Sequence, residues 1–563
     1  MVSRQLRPGT PHLRESIPPG PARERAVATM RNEMSRRAAT LPDAIERLRG
    51  IVLTHDPVVL IESIALPASS GALGPDVEDD APATTTWDAK IEYLQGLALS
   101  GPPGTGEVSE GVTRDAIDAL GAVFDAAHAD LFVRSLEERR SDHGVLDATS
   151  YLLRLEAMSD RMAGYAVHLE RIDSAVFDSH RDFYVGRIGF CPSDLIRLVR
   201  RHVRAINRTM QRAVDGFREA ATRGPLRHDD EEAADAFKAF YTVMTTANRW
   251  TVDAITESVG LARDEVAAML RAASVEYGCQ PDFRSPSDPN EAFTRPLIRL
   301  DDEAYFAPLP WSLGHNVHGL VRALAADVPG LAAAYQRHRA DATERLINEA
   351  LQPVFGTAFV HRSQHFQSSV GAGEVDCLVS GARAWCIEGK SQSLTEPARR
   401  GHRPRIERIT KDVVQTALAQ TERAATYILS DGRRDFAARQ GGPTESRLPL
   451  QVSGCLETIV SLERMDPIKA LGLDLADSEG RTTWLTGIAD FLMVVDVLDD
   501  PATLLDFVSQ RSLAAAAGVM ITMESDALEG YLQDRLESII QTATTAGQDT
   551  TVMLGYGSSK LNR

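Results

Sequence analysis

The sequence predicts a multidomain α+β protein: a largely helical N-terminal half, then an α/β core, then a helical C-terminal extension. Three observations carry this. The chain has 563 residues, several times the common domain size. Over most of the first half, apolar residues recur at helical spacing, as in Ile117, Leu120, Val123 and Phe124, or Leu152, Leu153, Leu155 and Met158. Beyond about residue 352, strand-like runs and helical runs alternate, the order expected of an α/β unit.

Taken in order, residues 1–38 mix Arg, Pro and Gly without apolar period and read as a mobile arm. Residues 39–278 read as a helical domain, with a loop-like insert at about 66–86, a polar break near 223–231 and a candidate helix-turn-helix at 250–272. Residues 279–330 turn to Pro, Asp and aromatics with short apolar alternations at 296–300 and 305–307, a linker with short strands. A helix is expected at 331–352, strands at 358–366, 374–379 and 384–390, a helix at 405–430 and a strand within 450–462, closing a core unit at 331–465. The 466–563 remainder reads as a helical extension.

Composition bounds the function. Hydrophobic residues at 43% and charged residues at 25% are globular values and exclude disorder throughout. With 61 Lys+Arg against 79 Asp+Glu the formal charge is -18, so any polyanion must be met by a local patch. The five cysteines show no CxxC and no zinc-like spacing, and are expected to be buried, reduced thiols. No apolar run reaches membrane-helix length and the first twenty residues lack a signal-peptide apolar segment, so a cytoplasmic protein without a membrane partner is expected.

The chemistry lies in GAGEVDCLVSGARAWCIEGK at 371–390. Two apolar runs flank Ser380, Gly381, Ala382 and Arg383, a hairpin signal. Strand period two puts Glu388 and Lys390 on one face and Trp385 and Ile387 on the other. If the loop holds three residues, Asp376 lies across from Glu388. Opposed carboxylates repel each other unless a positive charge sits between them, and a divalent cation would supply it. Mg²⁺ usually takes one or two carboxylates and leaves positions for water and phosphate. Lys390 would then orient water and stabilise charge on the phosphate.

These residues resemble the PD-(D/E)XK nuclease superfamily, whose fold is restriction-endonuclease-like, over about residues 335–465. The resemblance implies that Asp376 and Glu388 bind Mg²⁺, with Mn²⁺ as a substitute, that Lys390 assists the nucleophilic water, and that a helix glutamate, Glu344 or Glu349, joins the metal. Glutamines near the site in some members would correspond to Gln415 or Gln420. Val375 stands where many members have proline. An acid-x-Lys tripeptide arises about once by chance in a chain this long, so context decides. Asp88 and Lys90 form such a chance match inside a helical run, where i and i+2 diverge.

Six basic residues follow the third strand within thirteen positions: Arg399, Arg400, Arg403, Arg405, Arg408 and Lys411. Their place makes them candidates to hold nucleic-acid phosphates, against a solvated basic loop as the alternative. The 250–272 segment reads as a packing element ahead of a DNA reader, because Asp264 and Glu265 open its second helix. The basic helix at 195–218, with Arg197, Arg200, Arg201, Arg204, Arg208 and Arg212, is either a nucleic-acid face or an internally paired one. GPPGTGEV at 101–108 fails as a phosphate loop, since Glu107 and Val108 replace the required Lys and hydroxyl. His361 and His365 fall on a strand, where i and i+4 are too far apart to share a metal.

The resulting expectation is a Mg²⁺-dependent endonuclease acting on DNA ahead of RNA, with host defence as a context suggested by analogy alone. The alternative is a catalytically inactive nucleic-acid-binding or assembly protein of the same fold, and a homo-oligomer is compatible with both.

Overall fold

A computed structural model of the chain describes residues 21–72, 86–138, 144–159, 166–222, 235, 238, 247–368, 371–429, 435–449, 451–464, 482–521, 523–546 and 553–554. The N-terminal half is helical, as expected. Part of the expected arm is structured: Pro21–Ala38 is a helix packed against the Glu110–Glu138 helix. Past Pro21 that segment has no helix breaker, and Glu33 pairs with Arg36 at 2.7 Å and Arg37 at 3.0 Å, one turn away. Residues 1–20 of the expected arm and 73–85 of the expected insert lie outside the described residues.

The helices Leu41–Thr54, Pro57–Ala72, Thr86–Ala98 and Glu110–Glu138 bury one another's apolar stripes, with Leu48, Val52, Ile61, Leu94, Leu97 and Val123 inside. Asp88 and Lys90 sit on the third of these. Asp88 accepts from Trp311 Nε1 at 3.2 Å, while Lys90 lies 4.9 Å over the Trp87 ring. The 101–108 segment is a bend followed by a single parallel bridge to His55, with Gly106 N–H donating to Thr54 O at 3.0 Å.

The candidate helix-turn-helix forms, as Val252–Val259 and Arg263–Ala272 joined at Gly260, whose φ of 68° is left-handed and suits glycine. Around it lies a four-stranded sheet of β1 (Arg249–Thr251), β2 (Ser274–Val275), β3 (Leu297–Arg299) and β4 (Ala304–Phe306), in the order β1-β4-β3-β2. The strands expected in the 279–330 linker are β3 and β4, but β1 and β2 come from the segment before it. The linker therefore completes the preceding unit.

The C-terminal unit runs helix, β5 (Val360–Ser368), β6 (Gly371–Val379), β7 (Arg383–Lys390), helix, β8 (Asp435–Ala437), β9 (Thr444–Ser446), β10 (Gly454–Ser461) and β11 (Trp484–Gly487). Its sheet has seven strands among the described residues, ordered β11-β10-β7-β6-β5-β8-β9. β5, β6 and β7 are an antiparallel meander, and β10 returns parallel to β7. The helix Leu331–Phe355 covers one face, where Ala342, Leu346 and Ile347 meet Cys377 and Ile387. The helix Thr416–Leu429 covers the other, where Ala424, Tyr427 and Ile428 meet Leu378, Ala384 and Cys386. Sequence period finds β5, β6, β7 and β10 but misses β8, β9 and β11. These are short, and the exposed β9 residues Thr444, Glu445 and Ser446 carry no apolar alternation.

The 488–546 region is helical as expected, as Ile488–Val497, Pro501–Ala516, Glu524–Leu532 and Leu536–Ala546, with a two-stranded pairing of β12 (Met520–Ile521) and β13 (Met553–Leu554). One core passes from Phe177 and Tyr184 through Leu270, Leu320 and Tyr335 to Trp385, Trp484 and Phe491. The boundary drawn at 330 thus crosses continuous packing. Cys191, Cys377 and Cys386 are buried free thiols, while Cys279 is exposed, contrary to expectation. No helix among the described residues is long and apolar enough to cross a membrane.

Candidate active site

The β6–β7 hairpin positions the acids. Residues 380–382 separate the strands, and the register pairs Val379 with Trp385, Leu378 with Cys386 and Cys377 with Ile387. One step further in that register brings Asp376 opposite Glu388. The Asp376 carboxylate is anchored by the Gly389 backbone N–H, which donates to Oδ2 at 2.8 Å. Lys390 Nζ donates to Glu388 Oε1 at 2.7 Å and to Gln420 Oε1 at 2.7 Å. Glu388 is only 3% exposed. Trp385 and Ile387 point the other way into the core, as strand period requires.

Electrostatics mark the pair. Burial, then repulsion from Glu388 and Glu344, pushes the Asp376 carboxyl up to about 8, against the Gly389 hydrogen bond and Lys390, which pull it down. Glu388 is also raised, by burial first, with Lys390 opposing and with Glu374 and Glu344 adding to the shift. Burial is the largest cause for both acids, so desolvation first and repulsion from neighbouring carboxylates second hold the two above their ordinary range in one place.

Glu344, on the Leu331–Phe355 helix, is felt by both acids and its Oε2 accepts from Arg362 Nη2 at 3.1 Å, Arg362 Nε at 3.2 Å and Ser363 Oγ at 3.3 Å. Ser363 has a left-handed φ of 49° and is skipped where β5 pairs with β6, between Arg362–Cys377 and Gln364–Val375. The skipped partner in that register is Asp376, so the strand is distorted beside the acid, a strain that the surrounding contacts must maintain.

Some of the residues singled out by sequence are elsewhere. Glu349 is exposed and lies five positions beyond Glu344, about 140° around the helix; it does not join the acids. Gln415 is exposed, whereas Gln420 reaches Lys390. Gln415 ends the π-helical segment Thr410–Gln415, and Gln420 lies five positions further, about 140° around the α-helix Thr416–Leu429.

The basic loop is only partly available. Arg399 gives Nη2 to Glu463 and Nε to Leu394 O but stays partly exposed, whereas Arg400 is largely buried and donates to Glu396 at 2.7 Å. Arg405, Arg408 and Lys411 are exposed at three-residue intervals, with Arg408 3.4 Å from Asp412, and Arg403 is half-buried. On the long basic helix Pro192–Thr222, Arg197 pairs with Asp178 and Asp194, Arg200 with Glu170, and Arg201 with Val259 O, while Arg204, Arg208 and Arg212 are exposed at four-residue spacing. In the helix pair, Val266, Met269 and Leu270 are buried, and Arg263 is held by Asp253 at 2.9 Å and by Glu303, as befits a packing element.

For a metal, the available donors are the carboxylate oxygens of Asp376 and Glu388. Among the described residues no group of three or more His, Cys, Asp or Glu is arranged to hold a metal ion, and Glu344 is occupied by Arg362 and Ser363. A partly buried pair of carboxyl groups with only oxygen donors fits Mg²⁺ or Mn²⁺ completed by water, and does not fit a nitrogen- or sulfur-rich site. His361 bonds Ser380 Oγ at 3.1 Å and His365 lies 3.7 Å from Glu374, so neither approaches the acids as a ligand. Comparison with models of protein families, with curated proteins and with solved structures finds no match to this chain.

Proposed function

We propose that the protein is a cytoplasmic Mg²⁺-dependent nuclease that hydrolyses phosphodiester bonds, in DNA ahead of RNA, with a restriction-endonuclease-like core in residues 331–465. The observation that carries this reading is the Asp376–Glu388 pair, both acids raised, with Lys390 held beside them by Glu388 and Gln420. The helix–β5–β6–β7–helix–β10 order, with β10 parallel to β7, supports it. A bound Mg²⁺ would supply positive charge for the phosphate and a lowered water pKa. Asp376 and Glu388 would hold that ion through carboxylate oxygens, with the Gly389 N–H fixing the Asp376 side chain. Lys390, with the one N–H that Glu388 and Gln420 leave free, would donate to the phosphate oxygen that gains charge as water attacks phosphorus. The water loses its proton to solvent, while the P–O bond to the leaving sugar breaks and the sugar oxygen takes a proton from solvent. The exposed Arg405, Arg408 and Lys411 hold flanking phosphates.

A second reading has one observation in its favour: Glu388 is almost sealed and already paired with Lys390. A protein with that pair locked binds nucleic acid without cutting it. Incubation of plasmid and single-stranded DNA with wild type, Asp376→Ala and Lys390→Ala, in Mg²⁺ or EDTA, separates the two. Mg²⁺-dependent cutting by wild type alone supports the nuclease, and metal-independent binding without cutting supports the rival.

A further inference from the structure

Beyond β7 lies a second charged cluster that the proposed catalysis leaves unused. Glu463, two residues past β10, is buried, and three guanidiniums converge on it: Arg339 Nη2 at 2.9 Å, Arg322 Nη1 at 3.4 Å, and Arg399 Nη2. Burial by itself would raise this carboxyl, yet Arg399, Arg339 and Arg322 outweigh it and hold it far below the usual range. Three cations against one carboxylate leave two positive charges over. His318 flanks the cluster but is engaged by Asp173 Oδ1 at 3.1 Å and the Tyr335 hydroxyl at 2.6 Å.

The three arginines differ. Arg339 is sealed at 1% exposure, its remaining donors going to Ser391 O at 3.0 Å and the Tyr335 hydroxyl at 3.1 Å. Arg322 and Arg399 keep 29% and 32% of their side chains exposed. Arg322 uses only Nη1, on Glu463 and on Ser393 Oγ at 3.4 Å, and Arg399 uses Nη2 on Glu463 and Nε on Leu394 O at 3.3 Å. Nε and Nη2 of Arg322, and Nη1 of Arg399, have no partner among the described residues. The Arg511–Glu524 ion pair looks different, sealed at 6% and 0% exposure.

The cluster adjoins the proposed site. β10 pairs Ser461 with Lys390, and Leu462 N–H donates to Lys390 O at 2.7 Å. Residues 391–394, which continue from Lys390, supply three of the acceptors that the arginines use. We propose that Arg322 and Arg399, oriented by Glu463, form a second phosphate subsite that takes a neighbouring phosphodiester of the strand cut at Asp376, Glu388 and Lys390. This rests on the nuclease reading. Guanidinium forks match phosphate geometry bidentately, and a half-buried surplus of positive charge gains most from a polyanion. Arg322 lies on the Val317–Asp327 helix, so the substrate bridges this helix and the sheet.

The test is fluorescence anisotropy with labelled single- and double-stranded oligonucleotides and the full-length protein in EDTA, from about 50 to 200 mM salt. Arg322→Gln and Arg399→Gln each weaken binding about tenfold and lower the salt slope by about one. Equal affinity and slope in wild type and both variants overturn the subsite. Phenylglyoxal modification of wild type decides the matter without any variant: protection of Arg322 and Arg399 by the oligonucleotide supports it, and equal modification with and without oligonucleotide overturns it. Wild type that neither binds nor cuts any oligonucleotide removes the nuclease reading together with the subsite. Wild type that cuts, with arginine variants that bind and cut equally well, removes the subsite alone.

Discussion

The Asp376 carboxylate takes the backbone N–H of Gly389 at 2.8 Å, so the acid of β6 is tied to the residue between the two charged groups of β7. Glycine at 389 lets the covering helix come close: a Cβ there would sit 3.2 Å from Thr343 Cγ2 and 3.4 Å from Ile347 Cδ1. Acid, amide and helix are therefore set against one another by direct contact.

Gly389→Ala is expected to destabilise the fold by about 1–3 kcal/mol through overpacking. Thr343→Ser removes the closest methyl and is expected to recover part of that loss. Urea unfolding of the two single variants and the double variant measures the coupling, and additive effects would refute direct contact as the cause.

Asp376→Asn is expected to abolish Mg²⁺-dependent cleavage, by about a thousandfold or more, and Lys390→Ala to lower kcat by about 10²–10³-fold with KM little changed. Gln420→Ala removes one of the two acceptors that hold Lys390 and should lower kcat less than Lys390→Ala does. Single-turnover cleavage of a labelled duplex ranks the three, and a Gln420 variant slower than Lys390→Ala would contradict the positioning role.

Without metal, stability should fall as pH rises from about 4 to about 8. Asp376 is raised to about 8 in the folded protein and is ordinary when unfolded, so between those values the folded state keeps a proton that the unfolded state has lost. The stabilisation is full below the unfolded value and gone above the folded one. Asp376→Asn should remove the Asp376 share of this slope, on the order of a few kcal/mol across the range, leaving the share of Glu388, which is also raised, and Mg²⁺ should flatten the slope in wild type. Thermal midpoints against pH in EDTA and in Mg²⁺ check both.

Glu344→Gln is expected to weaken Mg²⁺ binding about tenfold, because Glu344 acts on both acids. Glu349→Gln should change neither metal binding nor stability beyond about 0.5 kcal/mol. Titration calorimetry with Mg²⁺ distinguishes them, and a larger effect at Glu349 would reverse the assignment.

Much of the site is legible in the sequence because it is local. Strand period and a short turn are enough to set Glu388 beside Lys390 and Asp376 across from Glu388, since a hairpin converts sequence spacing into cross-strand distance. The helix acid is not legible. The buried stripe of Ala342, Thr343, Leu346, Ile347, Ala350 and Leu351 has Glu344 and Glu349 about 110° from its centre on opposite flanks, so periodicity ranks them equally. Gln420 is one of two candidates because the π-helical segment that ends at Gln415 offsets the face from simple α spacing. Arg399 reads as free because its anion, Glu463, lies far away in the chain, whereas Arg400 and Arg408 meet Glu396 and Asp412 within one helical turn.

By itself, then, the sequence determined the α+β class, the hairpin and the order of the charged groups along it, all of which come from backbone periods over a few residues. Tertiary structure alone decided which glutamate approaches the acids, how far burial raises Asp376, and which arginines keep donors to spare. Those outcomes depend on desolvation and on charges brought together from distant segments, and neither is encoded in spacing along the chain.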